Sequence, residues 1–534
     1  MQNKLQIALG ALALLILYRV AVFFVGRRRH ASQAKKLGCE APPVYPRSDP
    51  FGFSTLRESF AASAKKRIPD LMIQRFDRMR LQEGRRVDTF GSDLLLRHNV
   101  ITIDPKNIQA ILAHQFKEFG LGEIRRGNFM PLLGHGIFTA DGQGWEHSRA
   151  MLRPNFAREQ VADLDLEERH VQNMMQALPV GDDGWTQELD IQKLFFRITI
   201  DTATEFLFGE SVNSQLAELP NAQIKRKGQE ESVFAAAFDR GQQWIMKRGR
   251  FLDFYWMINP KDFRDCQKDC HSFVDHYVQR ALEHSTRRAS AGTLEKGEKR
   301  ERYVFLEALA EHTRDPIELR SQLLNILLAG RDTTASLLSW FFHLLIRNPD
   351  KMARLRAEIL ENLGTYENPR NLTFAGLKNC QYLQWCLNET LRLFPVVPNN
   401  SRQALKDTTI PRGGGPDGSS PIYIRKGQLV VYSVYALHRR PDIWGPDSDQ
   451  FRPERWQGRK SGWEYLPFNG GPRICLGQQL ALTEAGYVTV RLLQRFEKLE
   501  AGSNEALGDL VRQNATLTSC PNDGVWLRMK EAGR

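Results

Sequence analysis

The sequence predicts a mainly α chain with a small β component, preceded by an N-terminal transmembrane helix. Three observations predict it. Helical patterning dominates beyond residue 53, strand-like pieces are confined to residues 86–103 and 421–434, and a long apolar run occupies the N-terminus.

The apolar run is Leu5–Val25, "LQIALGALALLILYRVAVFFV", broken only by Gln6 and Arg19. As a helix its 21 residues span roughly 31 Å, about one bilayer core. Arg27, Arg28 and Arg29 follow directly. Basic residues on that flank keep the rest of the chain on the cytoplasmic side, and Arg19 lies near enough to that end to snorkel. A cleaved signal would have a shorter apolar core and a small-residue cleavage site. Residues 1–30 are therefore read as a membrane anchor with its basic stop. Residues 31–53 follow as a linker, stiffened by Pro42, Pro43, Pro46 and Pro50. Residues 54–534 form the globular body.

Composition bounds what that body does. Its 42% hydrophobic and 25% charged content is ordinary for a globular protein and excludes a disordered chain. With 74 lysines and arginines against 62 acids the net charge is +12. That balance favours acidic partners or an anionic membrane. No arginine-rich arm or nucleic-acid module accompanies it, so no nucleic-acid partner is expected. Seven cysteines, Cys39, Cys266, Cys270, Cys380, Cys386, Cys475 and Cys520, are an odd, scattered set that predicts reduced thiols. Cys266, Cys270 and His271 lie in a charged, helix-like stretch with no second ligand pair, against a metal site. His284–Arg302 reads as a solvated loop. The aromatic and basic stretch Phe234–Met257 packs in the core, roofs a pocket or lies on a membrane.

The chemistry begins at "PFNGGPRICLGQQL", Pro467–Leu480. One cysteine stands just ahead of a helix, where the dipole favours a thiolate, between glycines that allow close approach. That is a soft anionic ligand for something large and flat, or a nucleophile. A second oddity is Asn325–Leu345, an apolar helix with Gly330, Asp332, Thr333 and Thr334 in its middle. Buried polar groups are costly unless satisfied or working. Thr333 bonds a carbonyl one turn back, or with Asp332 and a glycine-loosened turn makes a polar notch that relays protons. Glu389 and Arg392 pair three residues apart on a helix, Arg455 follows in "FRPERW", and Trp145 and Arg149 share one helix face that grips an anion.

Phe468, Gly471, Arg473, Cys475 and Gly477 match in register the F-x-x-G-x-R-x-C-x-G haem-binding signature. A-G-x-D-T-T (Ala329–Thr334), E-x-x-R, P-E-R and W-x-x-x-R stand in the matching order. The chain resembles the cytochromes P450 over essentially its whole length. Stretches such as "LLAGRDTTASLLSW" and "IPRGGGPDGSSPIYIRKGQ" resemble the fungal branch that hydroxylates n-alkanes and fatty acids. "RGGGPDG" lacks the lysine and serine of a phosphate loop and reads as an insert between strands.

The resemblance implies a cytochrome P450 fold, a mostly helical haem-thiolate monooxygenase domain with a small β-rich lobe on a membrane stalk. It implies haem b, with Cys475 the axial thiolate and metal ligand, and Trp145, Arg149, Arg402, Phe468, Arg473 and Gly477 around the cofactor. Thr333 and Asp332 become the catalytic pair, and Glu389, Arg392 and Arg455 a structural salt-bridge triad. The implied reaction inserts one oxygen atom from O₂ into a C–H bond of a lipophilic small molecule. Electrons come from NADPH through a flavoprotein, NADPH–cytochrome P450 reductase, with the haem domain cytosolic on the endoplasmic reticulum membrane. Terminal oxidation of alkanes or fatty acids is the substrate reading, and tailoring of a fungal secondary metabolite the alternative. The pocket segments expected are Leu324–Leu328, Phe394–Pro398 and Leu517–Ser519, with Arg125 and Arg126 at the channel mouth or simply on the surface. Two other classes compete. A nucleophilic-cysteine enzyme wants a general-base histidine that the loop lacks. A non-catalytic haem sensor or electron carrier has no need of the Asp332–Thr333 pair.

Overall fold

Buried apolar stripes on the helices assemble the core. The structure, a computed structural model, describes residues 2–156, 164–218, 228–291, 304–503 and 511–533. Its main helices are α1 (Gln2–Lys36), α2 (Phe53–Ala64), α3 (Ile68–Glu83), α4 (Glu123–Leu133), α5 (Gly142–Leu152), α6 (Leu164–Gln176) and α7 (Ile191–Phe208). Then come α8 (Gly228–Gly249), α9 (Lys261–Ala291), α10 (Pro316–Leu345), α11 (Pro349–Leu363), α12 (Gln381–Leu393) and α13 (Gln478–Arg495).

Helix α10 is the axis of the core. Asp315 caps it by accepting the Ile317 N–H at 2.9 Å, and Pro316 fills the first helical position. Leu319, Leu323, Leu327, Leu338 and Phe341 are fully buried, and α7 packs along the helix. Gly330 does not loosen a turn, for α10 is an unbroken α-helix. A lone glycine costs about 1 kcal/mol, and burial on both sides of it outweighs that. Residue 330 rests near Ala203 of α7 with room for a methyl group.

The strands are fewer and shorter. Residues 86–103, read as strand-like, form a hairpin, β1 (Thr89–Leu94) against β2 (Arg97–Thr102). Between it and the C-terminal half lie β3 (Phe119–Gly120) and β4 (Leu189–Asp190), followed by β5 (Asn399–Ala404), β6 (Thr408–Gly414), β7 (Ser420–Ile424) and β8 (Leu429–Ser433). The last are β9 (Phe496–Ala501), β10 (Gln513–Ala515), β11 (Ser519–Pro521) and β12 (Trp526–Glu531). One sheet runs β1-β2-β8-β5-β3, another β4-β12-β9, and β6–β7 and β10–β11 pair separately. Residues 421–434 thus split between two sheets. "RGGGPDG" is the tip of the β6–β7 hairpin, an insert between strands as read. Strand β5, "NNSRQA", has no apolar alternation to announce it.

Several sequence expectations change. The helix does not stop at residue 30: α1 continues to Lys36 and takes in residues 31–36 of the linker. The rest of the linker lies on the body, with Val44 bridging Gly91 and Tyr45 buried. Among the described residues no helix is long and apolar enough to cross a membrane; many side chains of Leu5–Val25 lie outside them. Residues 284–291 belong to α9 rather than a loop, and 292–302 lie outside the described residues. In Phe234–Met257, Phe234, Phe238 and Ile245 are core, whereas Phe254, Trp256 and Met257 on the following turn are exposed. Cys266 and Cys270 are buried against the same core, and all seven cysteines are free.

Beneath α12 lies a polar core. His438 is buried, its Nε2 accepting the Leu466 N–H at 2.9 Å while Nδ1 faces the Arg392 carbonyl at 3.2 Å. A neutral imidazole with its proton on Nδ1 satisfies both bonds. Burial, then Arg392, pushes its pKa down to about 3. The unfolded chain therefore takes up a proton between roughly pH 6.5 and 3 that the folded chain refuses. Stability from this group is complete above that upper value and is lost as pH falls towards the lower. A thermal-unfolding series from pH 7.5 to 4.5 should show that acid slope, reduced in His438→Gln; an unaltered slope in the variant refutes the assignment.

Candidate active site

The loop Pro467–Gly477 is held open by backbone geometry. Cys475 N–H donates to the Phe468 carbonyl at 3.0 Å. Gly471 has φ +69°, and any side chain there would collide with the Leu112 carbonyl. Gly477 caps α13 and turns its N–H towards the Cys475 sulfur. Cys475 faces a cavity of 380 Å³ rather than bulk solvent, so its thiol is reachable from the cavity yet shielded. Burial pushes the thiol pKa up, with the Gly477 N–H and Arg149 pulling the other way. The helix dipole does not make a free thiolate here; a bound cation can.

Four guanidiniums share that cavity: Arg125, Arg149, Arg402 and Arg473. Arg473 donates to Asp141 Oδ1 at 2.7 Å and the Ala140 carbonyl at 3.0 Å and stacks 4.5 Å from the Trp145 ring. Arg149 donates to the Ile474 carbonyl at 3.1 Å. Arg402 and Arg125 both donate to Asn400 Oδ1, at 3.3 and 3.0 Å. Burial, with the neighbouring arginines adding to it, lowers Arg473 to about 9 and Arg125 to about 10. The cluster is short of negative charge. Arg473 Nε and Arg125 Nε are buried without a partner.

The structure brings Trp145, Arg149, Arg402, Phe468, Arg473, Cys475 and Gly477 to one cavity, and Thr333 joins them. Asp332 does not. Its carboxylate turns towards α8, accepting from Gln242 at 2.6 Å and Arg331 at 3.1 Å, and Arg331 reaches Asp239 at 2.5 Å. Burial drives the Asp332 pKa up to about 6 despite Arg331. Neighbouring helix positions point about 100° apart, so the expected single notch is two separate features. Thr333 Oγ1 donates to the Ala329 carbonyl at 2.5 Å.

Arg125 lies half-buried in the cavity wall, with its Nε buried, while Arg126 is exposed beside Glu123. Of the three expected pocket segments, only Ile326, Val396 and Val397 line the cavity. Sequence reasoning missed Asn400 and Glu484. Glu484 lines the cavity, and burial beside Glu167 holds its carboxyl well above the usual range. Neither has a local signal, since their partners lie on other elements. A more open hollow of 670 Å³ between Trp185 and Glu500 contains none of these groups.

The family model for cytochrome P450 matches residues 74–508. The chain belongs to the cytochromes P450. This P450 is 52% identical over 515 residues to cytochrome P450 monooxygenase g430 of a Fusarium species, covering 96% of the chain and 88% of the relative. It is 48% identical over 503 residues to cytochrome P450 52A5 of Candida maltosa, covering 92% and 91%. Cytochrome P450 monooxygenase alt2 of Alternaria solani is 42% identical over 515 residues, covering 94% and 93%. The P450 family makes the protein a haem-dependent monooxygenase. The residues fit that group: one cavity-facing thiol suits its iron, and arginines with unpartnered N–H groups suit its two carboxylates.

Proposed function

We propose that the protein is a membrane-bound monooxygenase that hydroxylates n-alkanes or fatty acids at or near the chain terminus. The observation that carries the class is the convergence of Cys475, the four arginines and Thr333 on one cavity. Cys475 would ligate the haem iron through Sγ, Arg125, Arg149, Arg402 and Arg473 would hold its carboxylates, and Trp145, Phe468 and Gly477 would pack around it. When bound, the haem supplies O₂ activation and C–H oxidation, with electrons from NADPH through a flavoprotein reductase. Thr333 keeps a hydroxyl on the cavity wall. Asp332, raised by burial to about 6 and so mostly ionised at neutral pH, can take up and release a proton on the α8 side of α10. Gln242 and Arg331 orient it.

Thr333→Ala should retain the carbon-monoxide difference band yet form less product per NADPH consumed, and Asp332→Asn should slow turnover about a hundredfold. Unchanged coupling in Thr333→Ala would mean that its hydroxyl only satisfies Ala329.

An aliphatic substrate follows from the branch resemblance and from apolar lining at Ile137, Phe138, Ile326, Val396 and Val397. Each methylene buried contributes about 0.8 kcal/mol, so affinity climbs with chain length until the channel is full. Inner methylene C–H bonds are weaker, so terminal attack requires end-on presentation. The test is turnover of C10 to C18 alkanes and fatty acids, with product positions read by mass spectrometry. A second reading, tailoring of a fungal secondary metabolite, is favoured by relatives named outside the 52A series. Oxidation of a bulky polyketide or peptide-derived lipophile with no aliphatic turnover would select it.

Membrane attachment, on the endoplasmic reticulum with the body cytosolic, is supported by Leu5–Val25, the arginine triplet and an exposed apolar face. Phe51, Phe53, Leu96, Phe254, Trp256 and Met257 are all exposed. The Leu96 N–H bonds the Phe51 carbonyl, and Arg97 pairs with Asp253, which joins these residues on one side.

A further inference from the structure

We infer that the glycine-rich hairpin tip Arg412–Gly418 is a clasp for the chain's own N-terminal segment, and that it fixes the direction in which α1 leaves the body. Its consequence, a set orientation of the body on a lipid surface, rests on the membrane reading above.

The three consecutive glycines are explained by what lies against them. A methyl group on Gly413, where φ is +114°, would stand 2.5 Å from Thr89 Cβ. On Gly414 it would stand 2.5 Å from the Glu40 carbonyl oxygen, and on Gly415, φ +78°, 2.5 Å from Glu40 Oε2. Gly414 is therefore bare to admit the linker backbone and Gly413 to admit the sheet, while Gly415 is a glycine for its positive φ and carries the Glu40 carboxylate beside it. Linker and tip are also hydrogen-bonded. Glu40 N–H donates to the Pro421 carbonyl at 2.9 Å, and Gly415 N–H to the Ala41 carbonyl at 3.2 Å. Ser420 Oγ donates to Glu40 Oε1 at 3.3 Å.

The grip extends onto α1 itself. Tyr423 Oη donates to Gln33 Oε1 at 2.7 Å, and His30 Nδ1 lies 3.3 Å from Tyr423 Oη and 3.6 Å from Asp407. The hairpin is in turn bolted to the body. Buried Asn107 brackets Arg412, donating to its carbonyl and accepting from its N–H, each at 2.9 Å. Arg85 donates to the Gly415 carbonyl at 3.3 Å.

The order of these contacts along the chain gives the clasp its effect. A swivelling stalk would break just outside the membrane. Here α1 is helical through Lys36, and the prolines at 42, 43, 46 and 50 come after the gripped residues. From Val25 to His30 is about 7.5 Å of continuous helix. The apolar run and the body therefore move together. The linker then continues from the clasp to Phe51 and Phe53, on the exposed apolar face, so both lipid contacts are set by one rigid path.

The test uses full-length protein. In detergent, the Glu40 and Gly415 amides should be protected from hydrogen exchange, and Gly414→Val should speed their exchange at least about tenfold. The milder double variant Glu40→Ala/Tyr423→Phe should act in the same direction without touching the hairpin backbone. Fast exchange in the unaltered protein, or protection unchanged in both variants, would overturn the clasp. In liposomes carrying a lipid-borne quencher, the Trp256 fluorescence, taken as the difference from Trp256→Phe, should be quenched in the native chain and less so in both variants. Equal quenching after the clasp has opened would overturn its orienting role. No quenching in the native chain would instead overturn the membrane reading, leaving the exchange result to decide the clasp.

Discussion

Replacing Cys475 with alanine or serine abolishes turnover, by at least about a thousandfold, the scale on which loss of a group acting only at the reaction centre registers. The thiol is the cavity's only cysteine, and no cluster of three or more other metal-binding side chains exists among the described residues to replace it. Its surroundings survive the change, because the Cys475 N–H bond to Phe468 is a backbone bond and the arginines are tied to carbonyls and Asp141. The measurement is the carbon-monoxide difference spectrum of the reduced protein beside product formation. A thiolate-type band retained in Cys475→Ala would refute the ligand assignment. Alanine at Cys266, Cys270 or Cys520 should keep the band, because those thiols sit outside the cavity lining.

The largest effect on stability should come from Glu389→Gln. Glu389 and Arg392 have no solvent exposure, and Arg455 has almost none. Arg392 holds the carboxylate through two bonds, at 2.9 and 2.8 Å, and spends its other N–H groups on the carbonyls of His438, Ser448 and Gln450. Glu389 also accepts from Arg455 Nε at 3.3 Å, Trp456 Nε1 at 3.0 Å and the Arg452 N–H. Neutralising this one side chain leaves the buried Arg392 guanidinium without its counter-charge and leaves Arg455 with Asp447 alone, at 3.1 Å. Breaking a buried pair in this way costs about 3–5 kcal/mol. Thermal unfolding and the haem content of purified protein read the loss. A melting temperature within about a degree of the unaltered protein would show that the arginines re-pair elsewhere.

The same residues show how sequence and structure divide the work. An i, i+3 pair such as Glu389 and Arg392 is legible as a pair, but its weight is not. On a surface it is worth a few tenths of a kcal/mol, and only the Pro453–Trp456 turn packed over α12 makes it a buried hub. The cysteine loop was legible because its requirements are local: a ligand, the glycines beside it and the helix after it lie within a few residues. The β6–β7 hairpin was legible as an insert, but its glycines face a linker more than 370 positions away and carry no sign of it.

By itself, then, the sequence determined the helical body, the cysteine loop and the family, through short motifs whose geometry is set within one turn or one helix. Tertiary structure alone decided that Arg125 belongs to the arginine cluster and that Asp332 faces α8 rather than the cavity. It alone decided that α1 runs on into the linker and is clasped. The reason is physical. A side chain's direction follows from its backbone, but whether it meets a cavity, a counter-charge or solvent depends on partners 90 to 390 residues away.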